Sequence, residues 1–114
     1  MSAETAGPRD IEATELQQLL ETGEPVTLVD VREPFEWDIA NLGAFGAVLI
    51  PMGDVMDRFD ELDRETHVVV YCRTGGRSAR VARFLATRGY ARVYNLAGGI
   101  NGWAREVDPG MQTY

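Results

Sequence analysis

The seven residues Cys72-Arg73-Thr74-Gly75-Gly76-Arg77-Ser78 carry the strongest chemical signal in the chain. A cysteine attacks as its thiolate, and at an ordinary thiol pKa only about 3% is ionised at neutral pH. Cys72 follows Val68-Val69-Val70-Tyr71, a β-branched run that predicts a buried strand, and a helical pattern is expected from about Ser78 to Arg88. A two-glycine turn between strand and helix curls the backbone tightly, so that successive N–H groups and a helix N-terminus face the sulfur. Arg73 and Arg77 place fixed positive charge on either side. A free cysteine after a strand is ordinarily a small buried hydrophobe. The turn, the arginines and the following helix together point instead to a nucleophile held as thiolate.

The chain's single histidine is tested as a base by spacing alone. His67 precedes Cys72 by five residues on the same expected strand. An odd spacing puts the two side chains on opposite faces, about 16 Å apart. His67 is therefore expected at the strand entry without a catalytic role, and the loop must activate the thiol by its own electrostatics. Such a site suits an attacking group that is already ionised and a leaving group that needs no proton.

Composition narrows the classes further. The chain has 114 residues, 45% hydrophobic and 25% charged, which fits one globular domain. No apolar run approaches the roughly 20 residues of a membrane span, and the start MSAETAGPRD lacks the basic and apolar regions of a secretory signal. One cysteine excludes an internal disulfide, a CxxC pair and a cysteine-rich zinc site; one histidine argues against most histidine metal sites. No metal or other cofactor is expected, and a reducing cytoplasmic setting is. All 11 basic residues are arginine, which excludes Schiff-base chemistry and a lysine-containing P-loop. The net charge of −7 is unevenly spread. Residues 66–104 hold six arginines and no carboxylate, a local net of +6, against −12 over residues 1–65. This asymmetry is either a solvated helix face or a field that draws small anions. Nucleic acid is not an expected partner, because the molecule as a whole repels phosphate backbones.

The elements that must position the loop alternate. Residues 1–9 read as a flexible tail. Thr14 to Gln17 fits a capping box for a helix that carries Leu16, Leu19 and Leu20 and stops at Gly23. Val26–Asp30 reads as a strand, Phe35–Ala40 as a short helix after Pro34, and Val48–Ile50 as a strand closed by Pro51. Val55, Met56, Phe59 and Leu62 mark another helix, Ala91–Leu96 a last strand and Ile100–Arg105 a last helix. Continuous apolar strands alternating with helices predict an α/β domain with a mostly parallel sheet of about five strands, covered on both faces.

Four stretches in this order resemble the rhodanese-like domain, and the likeness covers nearly the whole chain, residues 10–114. They are Leu28-Val29-Asp30-Val31-Arg32-Glu33-Pro34, Leu49-Ile50-Pro51-Met52-Gly53, Val69-Val70-Tyr71 with the Cys72–Ser78 loop, and Asn95-Leu96-Ala97-Gly98-Gly99-Ile100-Asn101-Gly102-Trp103. The ending Glu106-Val107-Asp108-Pro109 through Tyr114 looks like rhodanese domains that end proteins of molybdopterin, thiolated-tRNA or thiamin sulfurylation. The resemblance implies that Cys72 takes sulfane sulfur from a small anionic donor such as thiosulfate and passes it to a thiol, cyanide or a protein. The alternative it implies is a persulfide carrier or interaction module. The amides of Arg73, Thr74, Gly75, Gly76, Arg77 and Ser78 would cradle the outer sulfur or the donor oxyanion, with Arg77 closing the loop and helping to bind the anion. Family rhodaneses place four residues between this cysteine and arginine, as Cys72 and Arg77 do here; related cell-cycle phosphatases and arsenate reductases place five, and position 78 is serine. Sulfur is thereby favoured over phosphate. Many relatives carry a Gly-His-Ile segment where this chain reads Asn41-Leu42-Gly43. Asp30 and Arg32 are expected in support, as a buried pair orienting the loop, or else as a strand-end cap with a surface arginine. Trp37, Trp103 and the Gly98-Gly99 turn are expected to pack rather than react.

Overall fold

The computed structural model describes residues 7–114. Its sheet consists of β1 (Arg9–Ile11), β2 (Val26–Asp30), β3 (Val48–Leu49), β4 (His67–Tyr71) and β5 (Val93–Leu96), ordered β1-β5-β4-β2-β3. Every pairing is parallel. The connections carry α1 (Ala13–Glu21), α2 (Pro34–Ile39), α3 (Val55–Arg58) and α4 (Gly76–Ala86), and α5 (Gly99–Glu106) follows β5. The expected α/β architecture with a sheet covered on both sides is thus present.

Alternation along β4 divides the interior. Val68, Val70 and Cys72 pack with Val81, Ala82 and Leu85 of α4 and with Val55 of α3. Val69 and Tyr71 face the other way, toward Leu16 of α1 and Ile100 and Trp103 of α5. Val68 to Tyr71 are all 0% exposed, which is why the strand reads as an unbroken apolar run rather than an alternating one. Trp103 is buried in this second cluster, as expected of a packing residue, with Phe45 edge-on at 5.4 Å between ring centroids.

Several boundaries differ from the sequence expectation, each for a local reason. Helix α1 is opened by Glu12, whose side chain and that of Glu15 form a reciprocal capping box, so the helix starts ahead of Thr14. Strand β1 was not expected. It has three residues and draws its order from pairing Arg9, Asp10 and Ile11 with Tyr94, Asn95 and Leu96. Arg9, expected in the tail, belongs to it, while the tail's residues 1–6 lie outside the described part. The helix expected across Val55–Leu62 is one α-turn followed by a 3₁₀ turn at Phe59–Glu61. Helix α4 begins at Gly76, two residues earlier than its pattern suggested.

The Gly98-Gly99 turn joins the fold to the loop. Gly99 has φ +59°, and a Cβ there would lie 2.4 Å from the Arg73 carbonyl carbon and 2.6 Å from the Cys72 oxygen. This approach lets the first amides of α5 grip the loop: Ile100 N–H donates to the Cys72 carbonyl at 2.9 Å and Asn101 N–H to the Arg73 carbonyl at 3.1 Å. Helix α5 thereby fixes the backbone of Cys72 and Arg73. Gly99→Ala is expected to cost at least about 2 kcal/mol in denaturant unfolding, since both the backbone contact and the positive φ oppose a side chain. An unchanged midpoint would count against this account.

Candidate active site

Parallel strands present their carboxyl ends on one edge of the sheet, and Cys72 follows the end of the central strand β4. The chain then turns through Gly75, whose φ of +112° opens α4. The curl rests on Gly75 rather than on both glycines, because Gly76 has no unusual φ and open space where a Cβ would stand.

The turn encloses the sulfur with donors. Gly75 N–H reaches Cys72 Sγ at 3.1 Å, Ser78 N–H at 3.4 Å and Ser78 Oγ lies at 3.3 Å. Ser78 is the third residue of α4, so its N–H is one of those a helix start leaves without an intrahelical acceptor. Burial pushes the Cys72 thiol up; the Ser78 hydroxyl and the amides of Ser78, Gly75 and Thr74 pull it down, and the net direction is down. The residue is 1% exposed. The sulfur therefore meets the condition set by the sequence: it faces main-chain donors.

His67 begins β4, on the face opposite Cys72. Its Nδ1 pairs with the Tyr94 hydroxyl and its Nε2 with Glu24 Oε1, both at 3.0 Å. It takes no part in the site.

The mouth of the loop is held by a chain of ionic contacts that the local sequence does not display. The guanidinium of Arg77, expected to close the loop, forks onto Glu36, with Nη1 2.7 Å from Oε1 and Nη2 3.0 Å from Oε2. Glu36 also receives the Tyr114 hydroxyl at 2.7 Å. That hydroxyl accepts Nη1 of Arg32 at 2.8 Å, and Arg32 forks onto Asp30 through Nε and Nη2. Asp30 and Arg32 are both 0% exposed, so they form the expected buried pair rather than a strand cap with a surface arginine. They support the loop at one remove: Arg32 also donates to the carbonyls of Glu36 and Ala40, fixing α2, which carries the partner of Arg77. Arg73 sits over the Tyr114 ring, 4.8 Å from its centroid, and donates to the Tyr114 carbonyl. Thr74 and Gly76 lie exposed at the loop surface. Asn41 follows α2, its Nδ2 donating to the Trp37 carbonyl and its Oδ1 accepting the Gly43 amide.

Glu36, Asn95 and Tyr114 are the site residues that sequence reading did not single out. Glu36 carried a signal, being the third residue of the helix that Pro34 opens, where a carboxylate caps a helix. The partnership of Tyr114 with residues 82 and 78 positions away left none.

A central cysteine ringed by amide donors at the carboxyl edge of a five-stranded parallel sheet defines a class of α/β domains. Comparison places this chain within it. A family model described as "Rhodanese-like domain" matches residues 12–106, and the chain belongs to that family. It is 42% identical to a sulfurtransferase of Allochromatium vinosum over 88% of this chain and 92% of that protein. It is 35% identical to the probable adenylyltransferase/sulfurtransferase MoeZ of Mycobacterium tuberculosis, over 99% of this chain but only 29% of that longer protein. The rhodanese-like domain protein of Staphylococcus aureus superposes with TM-score 0.78 at 29% identity, covering 93% of this chain and 98% of that one. Both of the named curated relatives carry sulfur transfer in their names. Among the described residues no helix is long and apolar enough to cross a membrane.

The Arg77 contact holds the Glu36 carboxyl far below its ordinary 4.5, at about 2, helped by the Glu33 backbone and Tyr114 and opposed by burial. A carboxyl with a depressed folded pKa adds stability above its unfolded pKa and loses it as pH falls toward the folded one. Stability should therefore decline between pH about 4.5 and about 2. In Glu36→Gln, urea titrations across this range should show a shallower decline and a lower stability at neutral pH. An unaltered slope would show that the pair is not coupled to folding.

Proposed function

We propose that the domain is a sulfurtransferase that works through a persulfide on Cys72, with thiosulfate or a similar anion as donor. The observation that carries this reading is the ring of donors from Gly75 and Ser78 around a sulfur with no histidine beside it. The thiolate attacks the outer sulfur of the donor. A bond forms between Cys72 Sγ and that sulfur, and the donor's sulfur–sulfur bond breaks with its electron pair leaving on sulfite. No proton moves, so no general base is required. The persulfide's terminal sulfur carries the negative charge and sits against the amides of Arg73 to Ser78, those of Gly76 and Arg77 being free of intrahelical acceptors at the start of α4. A thiol, cyanide or protein thiolate then takes that sulfur and returns Cys72 to its starting state. With cyanide the product is thiocyanate. The four-residue spacing between Cys72 and Arg77 supports sulfur over the larger tetrahedral phosphate.

A second reading is favoured by the mouth of the loop. Because Glu36 neutralises Arg77, the loop offers a dianion less free charge than its sequence suggests. This suits a carrier that receives persulfide sulfur from a protein donor and docks an acceptor. A Bacillus subtilis relative, 29% identical over 87% of this chain, is named a putative sulfur carrier protein.

Intact-mass measurement after thiosulfate treatment separates these readings. A gain of one sulfur on Cys72, released by cyanide and absent in Cys72→Ser, is expected for the enzyme, with thiocyanate formed over repeated turnovers. Loading from a protein persulfide but negligible turnover with thiosulfate would favour the carrier. A folded protein that accepts sulfur from neither source would overturn both.

A further inference from the structure

Ser78 has one hydroxyl proton and two acceptors within reach. Its Oγ lies 3.3 Å from Cys72 Sγ and 2.5 Å from Asn95 Oδ1. Ser78 is 0% and Asn95 8% exposed, so water does not readily replace whichever bond is left unmade. The orientation of the Asn95 carboxamide is set from its far side. Asn95 is paired in register with Asp10 of β1, and its Nδ2 donates to Asp10 Oδ1 at 3.3 Å. An ionised carboxylate only accepts, so the amide nitrogen turns toward Asp10 and the carbonyl oxygen toward Ser78.

We infer that Asn95, oriented by Asp10, is a positioning residue that competes with the Cys72 thiolate for the Ser78 hydroxyl proton and thereby favours the sulfur-loaded state of the site. The effect on loading rests on the persulfide reading above; the competition for the proton does not. In the thiol, S–H donates to Ser78 Oγ and Ser78 donates onward to Asn95. In the thiolate, Sγ calls for that proton, and Ser78 serves it only by leaving the buried Asn95 oxygen unpaired. In the persulfide, the negative charge moves to the outer sulfur and Sγ becomes a weak acceptor. Ser78 then returns to Asn95. Asn95 thus raises the free energy of the bare thiolate without raising that of the persulfide.

The charged groups around the sulfur are Arg77 of α4, paired with Glu36 of α2, Arg73 of the loop, held against Tyr114, and beyond them the Asp30–Arg32 pair at the end of β2. From β5 and β1 the sulfur is approached through Asn95 and Asp10. Among the described residues, the bonds of the Ser78 hydroxyl involve Cys72 and Asn95.

The test titrates Cys72 by its ultraviolet thiolate absorbance and by the pH dependence of iodoacetamide alkylation. In Asn95→Leu the midpoint is expected to fall by about one pH unit, because Ser78 is left with the sulfur as its sole acceptor. On a Ser78→Ala background the same substitution should leave the midpoint where Ser78→Ala alone puts it. Equilibrated with thiosulfate and sulfite, Asn95→Leu should carry several-fold less persulfide than the parent protein. Asp10→Asn, at an exposed position, serves as a second variant should Asn95→Leu fail to fold by circular dichroism; it lets the carboxamide turn over and should lower the midpoint in a Ser78-dependent way. A midpoint that stays or rises in these variants, or falls equally without Ser78, overturns the inference. A Ser78-dependent fall in a protein that never accepts sulfur would uphold the competition for the proton and reject the persulfide reading.

Discussion

An anionic sulfur withdrawn from water is tolerated only where donors replace the water it has lost. At Cys72 burial opposes ionisation, and the amides of Gly75 and Ser78 with the Ser78 hydroxyl outweigh it. Those donors converge because Gly75 adopts a left-handed backbone that starts α4 at the right angle, leaving the Ser78 amide without a helical partner. The curl would be of little use if the cysteine itself could drift. Its carbonyl and that of Arg73 are held by the first amides of α5, which come that close because residue 99 has no side chain. Two helices from opposite faces of the sheet thus fix one residue, α4 through its sulfur and α5 through its carbonyl.

Around this core, charge is arranged for shape more than for attraction. Asp30, Arg32, Tyr114, Glu36 and Arg77 form a continuous run of contacts across the mouth, in which each guanidinium meets a carboxylate and the phenol joins the two pairs. A buried pair such as Asp30–Arg32 adds little net stability, because desolvation offsets the attraction, but removing one partner leaves a stranded charge. Its value here lies in direction: Arg32 ties α2 to the end of β2, and α2 presents Glu36 to Arg77. The arginine excess that stands out along the sequence is therefore partly cancelled in space at the point where it matters most.

What was legible in the sequence was local. The β-branched run before Cys72, the glycine turn and the helical pattern after it are contiguous, and each is decided by neighbours within a few residues; the fold class followed from their alternation. The odd spacing of His67 and Cys72 was enough to separate their faces, because the two-residue period of a strand is rigid. What was hidden depends on contacts across the chain. Tyr114 meets Arg32 and Glu36 from the far end of the sequence, and Asn95 reaches Ser78 only because β5 lies beside β4. Strand β1 has too few residues to carry a pattern of its own and is defined by its partner. The start of α1 was misread because Glu12, an uncommon cap, works through a reciprocal bond with Glu15 that its residue type does not advertise.

The same run of ionic contacts has a quieter consequence. Glu36 is held ionised far into acid, and Arg32, Arg77 and the Tyr114 phenol are all held protonated into strong alkali. Across the whole neutral range these four groups keep a constant charge. Cys72 thus gains and loses its proton beside neighbours that hold their own protonation states through its titration.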